Sequence, residues 1–430
     1  MSDVEELRRR MPFMRGNFMI LTVRMVVGQI CRNMVFPYAS LLILAVGGST
    51  SQIGIVNSLR PIAGLLVYPV AGYLTDRRGR VRLIALAGYL SAFTTLIFVF
   101  APSWEWIALA SLLQGFAVLE FPPSSAILAE SLEPLYRGVG VATMSTLATL
   151  FAITSPYIAG VITESLGNDV GVRVLYAIYM LSFIVNTLIL RYLTGAEPMG
   201  DPGELPSVTA ILREVYGGIP KLVRNMPRGV KALSVVTGMA FISNALTAPF
   251  WVVYATDVVG VSNVEWGLIL LIESLIKIGL TIPAGMVADR YGRAKTLFMA
   301  VLLSLVSLPS IVLATGFVHV LLVRVGAALA VALYMPASTA LMADLVPREI
   351  RGRVMSAVGR GSVMLGAAGG GTGGPGMGYF FTLFVIAGSV LGGALYSIDP
   401  SYPWWGVLAT CVVQMVFVIL FIRDPEKRER

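Results

Sequence analysis

The sequence predicts an all-α membrane protein in which twelve transmembrane helices form two pseudo-symmetric six-helix bundles. Three observations support this fold class: the apolar composition, the number of long apolar runs, and a repeat that relates the two halves of the chain. Hydrophobic residues make up 56% of the 430 residues and charged residues only 13%, with a mean hydropathy of +0.80. A bilayer can cover that much apolar surface, and its lack of water favours helices, which pair their own backbone groups.

Twelve apolar runs are long enough to cross a bilayer, since each crossing needs about 20 mostly apolar residues. They occupy residues 17–46, 51–74, 83–101, 104–129, 138–163, 171–193, 231–257, 263–287, 296–316, 318–343, 377–397 and 402–422. A polar stretch containing several prolines and glycines follows the sixth run and marks a linker between two bundles. Within this linker, residues 208–223 have the pattern of an amphipathic helix on the membrane surface.

The domain organisation follows from these runs. We predict, in chain order, an N-terminal tail at 1–16, a six-helix bundle at 17–193, a linker at 194–230, a second six-helix bundle at 231–422, and a C-terminal tail at 423–430.

Lysine and arginine residues concentrate in the loops on one side of this map. With the N-terminus inside, only Arg173 falls in an outer loop. The positive-inside rule therefore predicts cytoplasmic termini and a cytoplasmic linker, in a multi-pass protein of the plasma membrane. The net charge of +8 reports this topology rather than a nucleic-acid partner. The expected partners are the lipid bilayer and a small-molecule substrate, together with protons, and the chain is expected to act as a monomer.

One segment departs from the simple pattern, because residues 366–378 are mostly glycine and glycine is a poor helix former. We expect a surface helix at 354–365, a flexible cytoplasmic glycine loop, and then the eleventh span. The alternative is a long, broken eleventh helix whose unwound glycines line a cavity.

An internal repeat connects the two halves. The segment from Gly72 to Arg80, GYLTDRRGR, recurs as GMVADRYGR from Gly285 to Arg293, at an offset of 213 residues. In a second pair of segments, an acidic residue is followed seven positions later by Arg-Gly. The first segment contains Glu130 and Arg137-Gly138, and the second contains Asp344 and Arg351-Gly352, at an offset of 214 residues. Two matching offsets indicate that the halves arose by duplication in parallel orientation.

The repeated motif resembles the G-x-x-x-D-[RK]-x-G-[RK]-[RK] signature of the major facilitator superfamily. Both copies depart at the last basic position, where Val81 and Ala294 stand. The resemblance implies the major facilitator fold, alternating access, and a latch of charged residues on the cytoplasmic face. The predicted cytoplasmic gate comprises Gly72, Asp76, Arg77, Gly79, Arg80, Glu130, Gly285, Asp289, Arg290, Gly292, Arg293 and Asp344.

The chemistry of these residues fits either a latch or a simple topological anchor. The carboxylates lie at the C-terminal ends of their helices, where the helix dipole disfavours an anion, so they need basic partners nearby. Gly79 and Gly292 are expected to form tight turns with positive φ.

Seven ionisable side chains fall inside the predicted spans, where each costs about 2.5–3.5 kcal/mol near the bilayer centre and is therefore a candidate for function. They are Arg24, Arg32, Arg60, Glu120, Glu273, Lys277 and Arg324. Structural explanations exist for some of them. Arg24 and Arg324 lie near the ends of their spans and could extend to the surface. Glu273 and Lys277 are spaced i, i+4 and could neutralise each other.

In the family that the motif resembles, spans one, four, seven and ten line the central cavity. The predicted substrate cavity comprises Gln29, Arg32, Asn33, Gln114, Glu120, Asn244, Trp251, Tyr254 and Arg324. Glu120 and Glu273 are the candidates for proton coupling. Glu120 precedes Pro122-Pro123, which should kink its helix, and Arg32 is its predicted partner.

The predicted function is secondary active transport of a small organic solute, in the form of proton-coupled export. Ala152, Ser155-Pro156 and Ala159-Gly160 resemble a degenerate form of the family's antiporter motif, although small residues there also suit close helix packing. The alternative is a proton-coupled uptake symporter for an organic anion, which the surplus of membrane arginines favours. More remotely, the chain is a membrane receptor or a membrane-embedded enzyme. One histidine and two cysteines provide no metal site or catalytic constellation, so no metal, cofactor or enzymatic activity is expected.

Overall fold

The computed structural model describes residues 13–77, 79–194, 207–217, 224, 226–346 and 379–424. Within these ranges all regular structure is helical. The first bundle contains α1 (Gly16–Ala45), α2 (Thr50–Arg77), α3 (Arg80–Phe100), α4 (Trp104–Glu130), α5 (Pro134–Leu166) and α6 (Asn168–Tyr192). The second contains α7 (Arg228–Val258), α8 (Asn263–Tyr291), α9 (Arg293–Leu313), α10 (Phe317–Leu345), α11 (Tyr379–Ile398) and α12 (Tyr402–Phe421). A linker helix, Val208–Gly217, lies between them in sequence.

The predicted fold class is confirmed. Among the described residues, eleven helices are long and apolar enough to cross a membrane, and α8 makes twelve when its two parts are counted as one span bent by 48°. Within the first bundle α1 packs on α5 and α6, and within the second α7 packs on α11 and α12. The most extensive contacts between the two bundles are those of α2 with α11 and of α5 with α8.

Three of the spans predicted to line the cavity are interrupted. In α1 a 3₁₀ turn at Phe36–Tyr38 contains Pro37. In α4 a 3₁₀ segment at Gly115–Glu120 directly precedes the proline pair that was expected to kink the helix. In α7 a 3₁₀ turn is followed by a π-helical turn at Tyr254–Val258. Proline removes a backbone donor, and π-turns are frequent at functional sites, so these breaks give the three helices local freedom to change geometry.

The two ends of the bundle differ in how tightly the halves meet. We call the end that carries the linker the linker face; there Asn17, at the start of α1, donates a hydrogen bond of 2.7 Å from its side chain to the Thr194 carbonyl. We call the opposite end the far face. On that side one hydrophobic cluster joins residues of both bundles, including Leu42 and Trp251. The other described clusters each belong to a single bundle.

Glycines create part of the far-face contact between α2 and α11. A Cβ atom placed on Gly54 would lie 2.4 Å from the Ser389 carbonyl oxygen and 2.8 Å from the Gly393 Cα. No side chain fits there, so the two backbones approach as closely as glycine permits. Small residues commonly allow such close approach between membrane helices.

The second far-face contact, between α5 and α8, includes hydrogen bonds. The Tyr38 hydroxyl lies 2.9 Å from the Pro156 carbonyl oxygen and 3.1 Å from the Asn263 carbonyl oxygen. The Asn263 side chain in turn donates to Asn168 at 2.8 Å, across the two bundles. The structure is therefore closed at the far face, while the described parts of the two bundles remain separate clusters towards the linker face.

Of the predicted amphipathic helix at 208–223, the structure describes residues 208–217, which are helical, and residues 218–223 lie outside the described part of the chain. It packs against α2 rather than only resting on lipid: the Tyr216 hydroxyl donates to the Leu65 carbonyl, and the Tyr73 hydroxyl donates to Glu214. The predicted surface helix at 354–365 and glycine loop at 366–378 also fall outside the described residues.

A methyl group at Gly54 should hold the far face open. Gly54→Ala should lengthen and broaden the distance between spin labels at Val170 and Ile398, two exposed far-face positions on opposite bundles, because the α2–α11 contact has no room for the Cβ. The labels would be attached to cysteines after Cys31 and Cys411 are replaced by alanine.

Gly28→Ala, inside a regular part of α1, is the matched control, since its new Cβ would meet only the Asn186 side-chain nitrogen, at an ordinary contact distance of 3.8 Å. Both substitutions favour helix formation equally, so only the contact differs. An unchanged distance distribution in Gly54→Ala would show that this glycine does not control closure.

Candidate functional site

The first bundle contains a buried ion pair between α1 and α4. The Arg24 Nη2 atom lies 2.7 Å from Glu120 Oε1, and Arg24 Nε donates to the Asn186 carbonyl at 3.0 Å. The Arg24 side chain is only 7% exposed, so the expectation that it extends to the membrane surface is wrong. Glu120 is 28% exposed and retains access to the space between the helices.

The sequence-based prediction that Arg32 is the partner of Glu120 is also wrong. Depth in the membrane explains the error. Glu120 lies ten residues from the linker-face end of α4, and Arg24 lies eight residues from the linker-face end of α1, whereas Arg32 lies sixteen. At about 1.5 Å per residue, only Arg24 reaches the level of Glu120.

Arg32 instead shares an aromatic ring with an arginine of α2. The Cζ atoms of Arg32 and Arg60 each lie 5.6 Å from the centroid of the Phe36 ring. Arg32 and Phe36 are four residues apart on α1, which places them on one face of the helix. Cation–π contacts of this length are attractive, but they do not neutralise charge.

The second bundle contains a more deeply buried cluster. Glu273 on α8 accepts a hydrogen bond of 2.8 Å from Arg324 Nε and forms an ion pair with Lys277. Its side chain is 3% exposed. The predicted pairing of Glu273 with Lys277 is therefore present, and a second cation from α10 completes it.

The position of Arg324 near the end of α10 suggested that its side chain could extend to the membrane surface. In the structure it does not. Its residue is 7% exposed, and its Cζ lies 4.5 Å from the Trp251 ring centroid and 5.6 Å from that of Trp266. Two indole faces and one carboxylate thus surround the guanidinium, which compensates for its removal from water.

The remaining predicted cavity residues are placed as follows. Gln29 donates to Asn33 at 3.2 Å, one turn along α1. Gln114 lines a cavity of about 60 Å³ together with Phe36 and Arg60.

The aromatic residues predicted for the cavity wall lie in the closed far-face cluster in this conformation. Trp251 is 7% exposed and Tyr254 is 4% exposed. Their ring centroids lie 4.3 Å and 5.5 Å from that of Trp404 on α12. Asn244, seven residues before Trp251, is half-buried.

The second copy of the repeated motif forms a charge cluster at the linker face. Arg293 pairs with Asp344, and its Nη2 lies 3.8 Å from Asp289. The Asp424 carboxylate accepts hydrogen bonds of 2.8 Å and 3.0 Å from the backbone N–H groups of Arg293 and Ala294. Asp424 therefore caps α9, a role that sequence analysis missed because the residue lies 131 positions away.

The two motif glycines differ. Gly292 has φ of +101°, as expected for its turn, and the Asp424 carboxylate occupies the space that a Cβ would need. Gly79 has φ of −56° and ψ of 116°, so the prediction of positive φ is wrong there. Its turn is made with dihedrals that other residues adopt.

The first copy forms the equivalent contact between α3 and α4, where Arg80 Nη1 lies 2.6 Å from Glu130 Oε2. Arg290 lies 5.7 Å from the Tyr291 ring centroid. Gly72 and Gly285 have open space where a Cβ would be. The side chains of Asp76 and Arg77 lie outside the described part of the structure. Because the described pairs remain within one bundle each, the gate role stays a prediction.

The sequence profile of the Major Facilitator Superfamily matches residues 23–227 and 233–430. The chain belongs to this superfamily. It is therefore a multi-pass membrane transporter and not an enzyme.

Curated relatives include proteins named for drug resistance. The multidrug resistance protein MdtG of Enterobacter lignolyticus is 25% identical over 341 residues, which cover 75% of this chain and 77% of that protein. The multi-drug resistance efflux pump PmrA of Streptococcus pneumoniae is 27% identical over 139 residues, or 31% of this chain and 35% of that one.

Solved structures with the same fold cover nearly the whole transporter. A mutant form of the nucleoside transporter NupG superposes with a TM-score of 0.71 at 13% identity, covering 94% of this chain and 100% of that one. A bacterial homologue of the iron transporter ferroportin, in an inward-facing state, gives 0.69 at 14% identity, covering 94% and 98%. At these identities the likeness establishes the fold alone.

Removal of Glu273 should destabilise the transporter strongly, because Arg324 would lose the carboxylate that its buried guanidinium pairs with. Glu273→Leu should lower the free energy of unfolding by about 3–5 kcal/mol. The measurement is thermal unfolding of the purified protein in detergent.

Glu133→Leu, at an exposed loop position, is the control and should change stability by no more than about 0.5 kcal/mol. The double variant Glu273→Leu/Arg324→Leu should recover part of the loss, because the buried guanidinium that loses its carboxylate in the single variant is also gone. A single variant as stable as the control would contradict the role of Glu273 as the neutralising group.

Proposed function

We propose that the protein exports a small organic solute in exchange for protons, by alternating access, as a monomer in the plasma membrane. The observation that carries this proposal is a partly exposed carboxylate, Glu120, paired with a buried arginine in an interrupted membrane helix. Relatives named as multidrug resistance proteins support export, and the absence of a P-loop motif in the sequence favours an ion gradient over ATP as the energy source.

The far-face contacts support alternating access. Closure there depends on close backbone contact at Gly54 and on hydrogen bonds made by Tyr38, with no covalent or ionic link described between the bundles. Such contacts can be lost and re-formed as two rigid bodies rock about the binding site. In the other state the linker face closes and the far face opens.

Glu120 suits a proton carrier better than Glu273. Glu273 is 3% exposed and pairs with two cations, so its charge is already offset and little solvent reaches it. Glu120 is 28% exposed and pairs with Arg24 alone, at the end of a 3₁₀ segment that can change its geometry. When the Arg24 contact opens, Glu120 can take up a proton. When the contact re-forms, the proton is released.

The pH gradient provides the test of coupling. In liposomes containing the purified protein, Glu120→Gln should abolish solute transport driven by a pH gradient and should spare solute exchange at equal pH. The physical reason is that glutamine retains the shape of the side chain but cannot carry a proton. The solute would be found first by a screen of labelled compounds with the parental protein.

Glu133→Gln is the control and should transport at the parental rate. Gradient-driven transport that survives in Glu120→Gln and is lost in Glu273→Gln would assign the proton to the other carboxylate. Survival in both variants would overturn proton coupling.

We also propose that the linker face is cytoplasmic, with both termini on that side, because nearly all basic loop residues lie there. Reporter fusions after Asn168 and after Glu214 should then report opposite sides of the membrane, the first outside and the second inside. The reverse result would invert the orientation, and the same side for both would contradict the described order of spans.

A second candidate function is proton-coupled uptake of an organic anion. The observation in its favour is the excess of cations inside the membrane, five arginine or lysine side chains against two carboxylates at the sites described above. The two functions differ in direction: a pH gradient across the liposome membrane drives the solute against the flow of protons in an exchanger and along with it in a symporter.

A further inference from the structure

Two kinds of arginine lie inside the membrane. Arg24 and Arg324 each form an ion pair with a glutamate and are 7% exposed. Arg32 and Arg60 are half-buried, and the structure describes no carboxylate within ion-pair distance and no hydrogen bond for either guanidinium. The second kind therefore remains uncompensated by the described part of the protein.

The repeat emphasises this difference. Arg60 on α2 and Glu273 on α8 are 213 residues apart, the same offset as the two copies of the motif. At this equivalent position the second bundle has the carboxylate that pairs with its own cations, Lys277 and Arg324. The first bundle has another cation.

The guanidinium groups of Arg32 and Arg60 both contact the Phe36 ring. Both Cζ atoms lie 5.6 Å from the Phe36 ring centroid, so they are separated by at most twice that distance and repel each other. In the membrane interior such a pair is costly unless a counter-charge is supplied. A bound anion would supply it.

A cavity of about 60 Å³ lies beside Arg60 and has both polar and apolar walls. Its polar lining includes Asn57, Arg60, Ser111, Gln114 and Tyr176, and its apolar lining includes Phe36. Arg32 contacts the Phe36 ring and is not itself part of the lining. Amides, hydroxyls and guanidinium N–H groups provide hydrogen-bond donors for oxygen atoms, and the Phe36 and Tyr176 rings provide apolar contact. The volume is well below the roughly 300–1,000 Å³ of a drug-sized pocket, which favours a compact ligand.

We propose that Arg32 and Arg60 form a binding site for a compact organic anion, whose carboxylate or phosphonate group pairs with Arg60 at the cavity and is attracted by the nearby charge of Arg32. A guanidinium forms two parallel hydrogen bonds with either group, which gives strength and orientation. This proposal deepens the proposed function, on which it rests, by naming the charge of the solute.

The experiment measures binding to the purified full-length transporter in detergent, by calorimetric titration. The probes are benzoate, benzamide and benzamidine, which have nearly the same shape and carry charges of about −1, 0 and +1 at neutral pH, and phenylphosphonate as a second anion. Benzoate and phenylphosphonate should bind at least tenfold more tightly than benzamide, because a charge-assisted pair is stronger than a neutral hydrogen bond. Benzamidine should bind most weakly.

Arg32→Gln and Arg60→Gln should each remove the preference for benzoate over benzamide. Arg213→Gln, an exposed position on the linker helix, is the control and should retain it. Arg60→Lys keeps the charge and loses the planar fork. This variant should weaken the binding of benzoate several-fold while retaining a preference for benzoate over benzamide. It provides the test if the glutamine variants do not fold.

Equal binding of benzoate and benzamide, or a preference for benzamidine, would overturn the anion site. Unchanged preference in both glutamine variants would also overturn it. These outcomes are separate from the proposed function: liposomes that transport a cationic solute would leave transport intact and refute the anion site. Anion-selective binding without transport of any solute would support the anion site and refute the proposed transport function.

Discussion

Charge inside a bilayer is costly, at about 2.5–3.5 kcal/mol for one residue at the centre of a span. The interior of this transporter is organised by that cost. Arg24 donates to Glu120 and to a carbonyl of α6, and these contacts tie three helices of the first bundle together. Glu273 and Arg324 tie α8 to α10 in the second. Because the ionic contacts connect helices within a bundle, each half can move as a unit while the contacts between halves change.

The sequence predicted the architecture well, because the signals involved are local or repeat at a fixed offset. Apolar runs, the charge of the loops and the duplicated motif can all be recognised without knowing which helices contact each other. The pairing of Glu120 could not be predicted in this way, since it depends on the relative depth of α1 and α4. The same limitation applies to Asp424, which reaches the start of α9 from the end of the chain. The turn at Gly79 shows that a repeated residue need not repeat its conformation.

Duplication gave the two bundles the same helices and different chemistry. At one equivalent position the first bundle has Arg60 and the second has Glu273. In the second bundle each described membrane cation pairs with that carboxylate, and the arginine packs against two indoles. In the first bundle Arg60 pairs with no described carboxylate and lines a cavity that residues of both bundles enclose. An asymmetry of this kind allows one half to bind and the other to act as the rigid partner against which it moves.

The glycine contact between α2 and α11 also bears on how well the energy source is conserved. Around Gly54 and Gly393 main chain meets main chain, without side chains between them. A contact this dry leaves no room for a file of water molecules, and protons or small ions crossing the hydrocarbon region would need one. The closed end is therefore sealed by main-chain contact at positions that carry no side chain, and separation of α2 from α11 there would remove this barrier to water and ions.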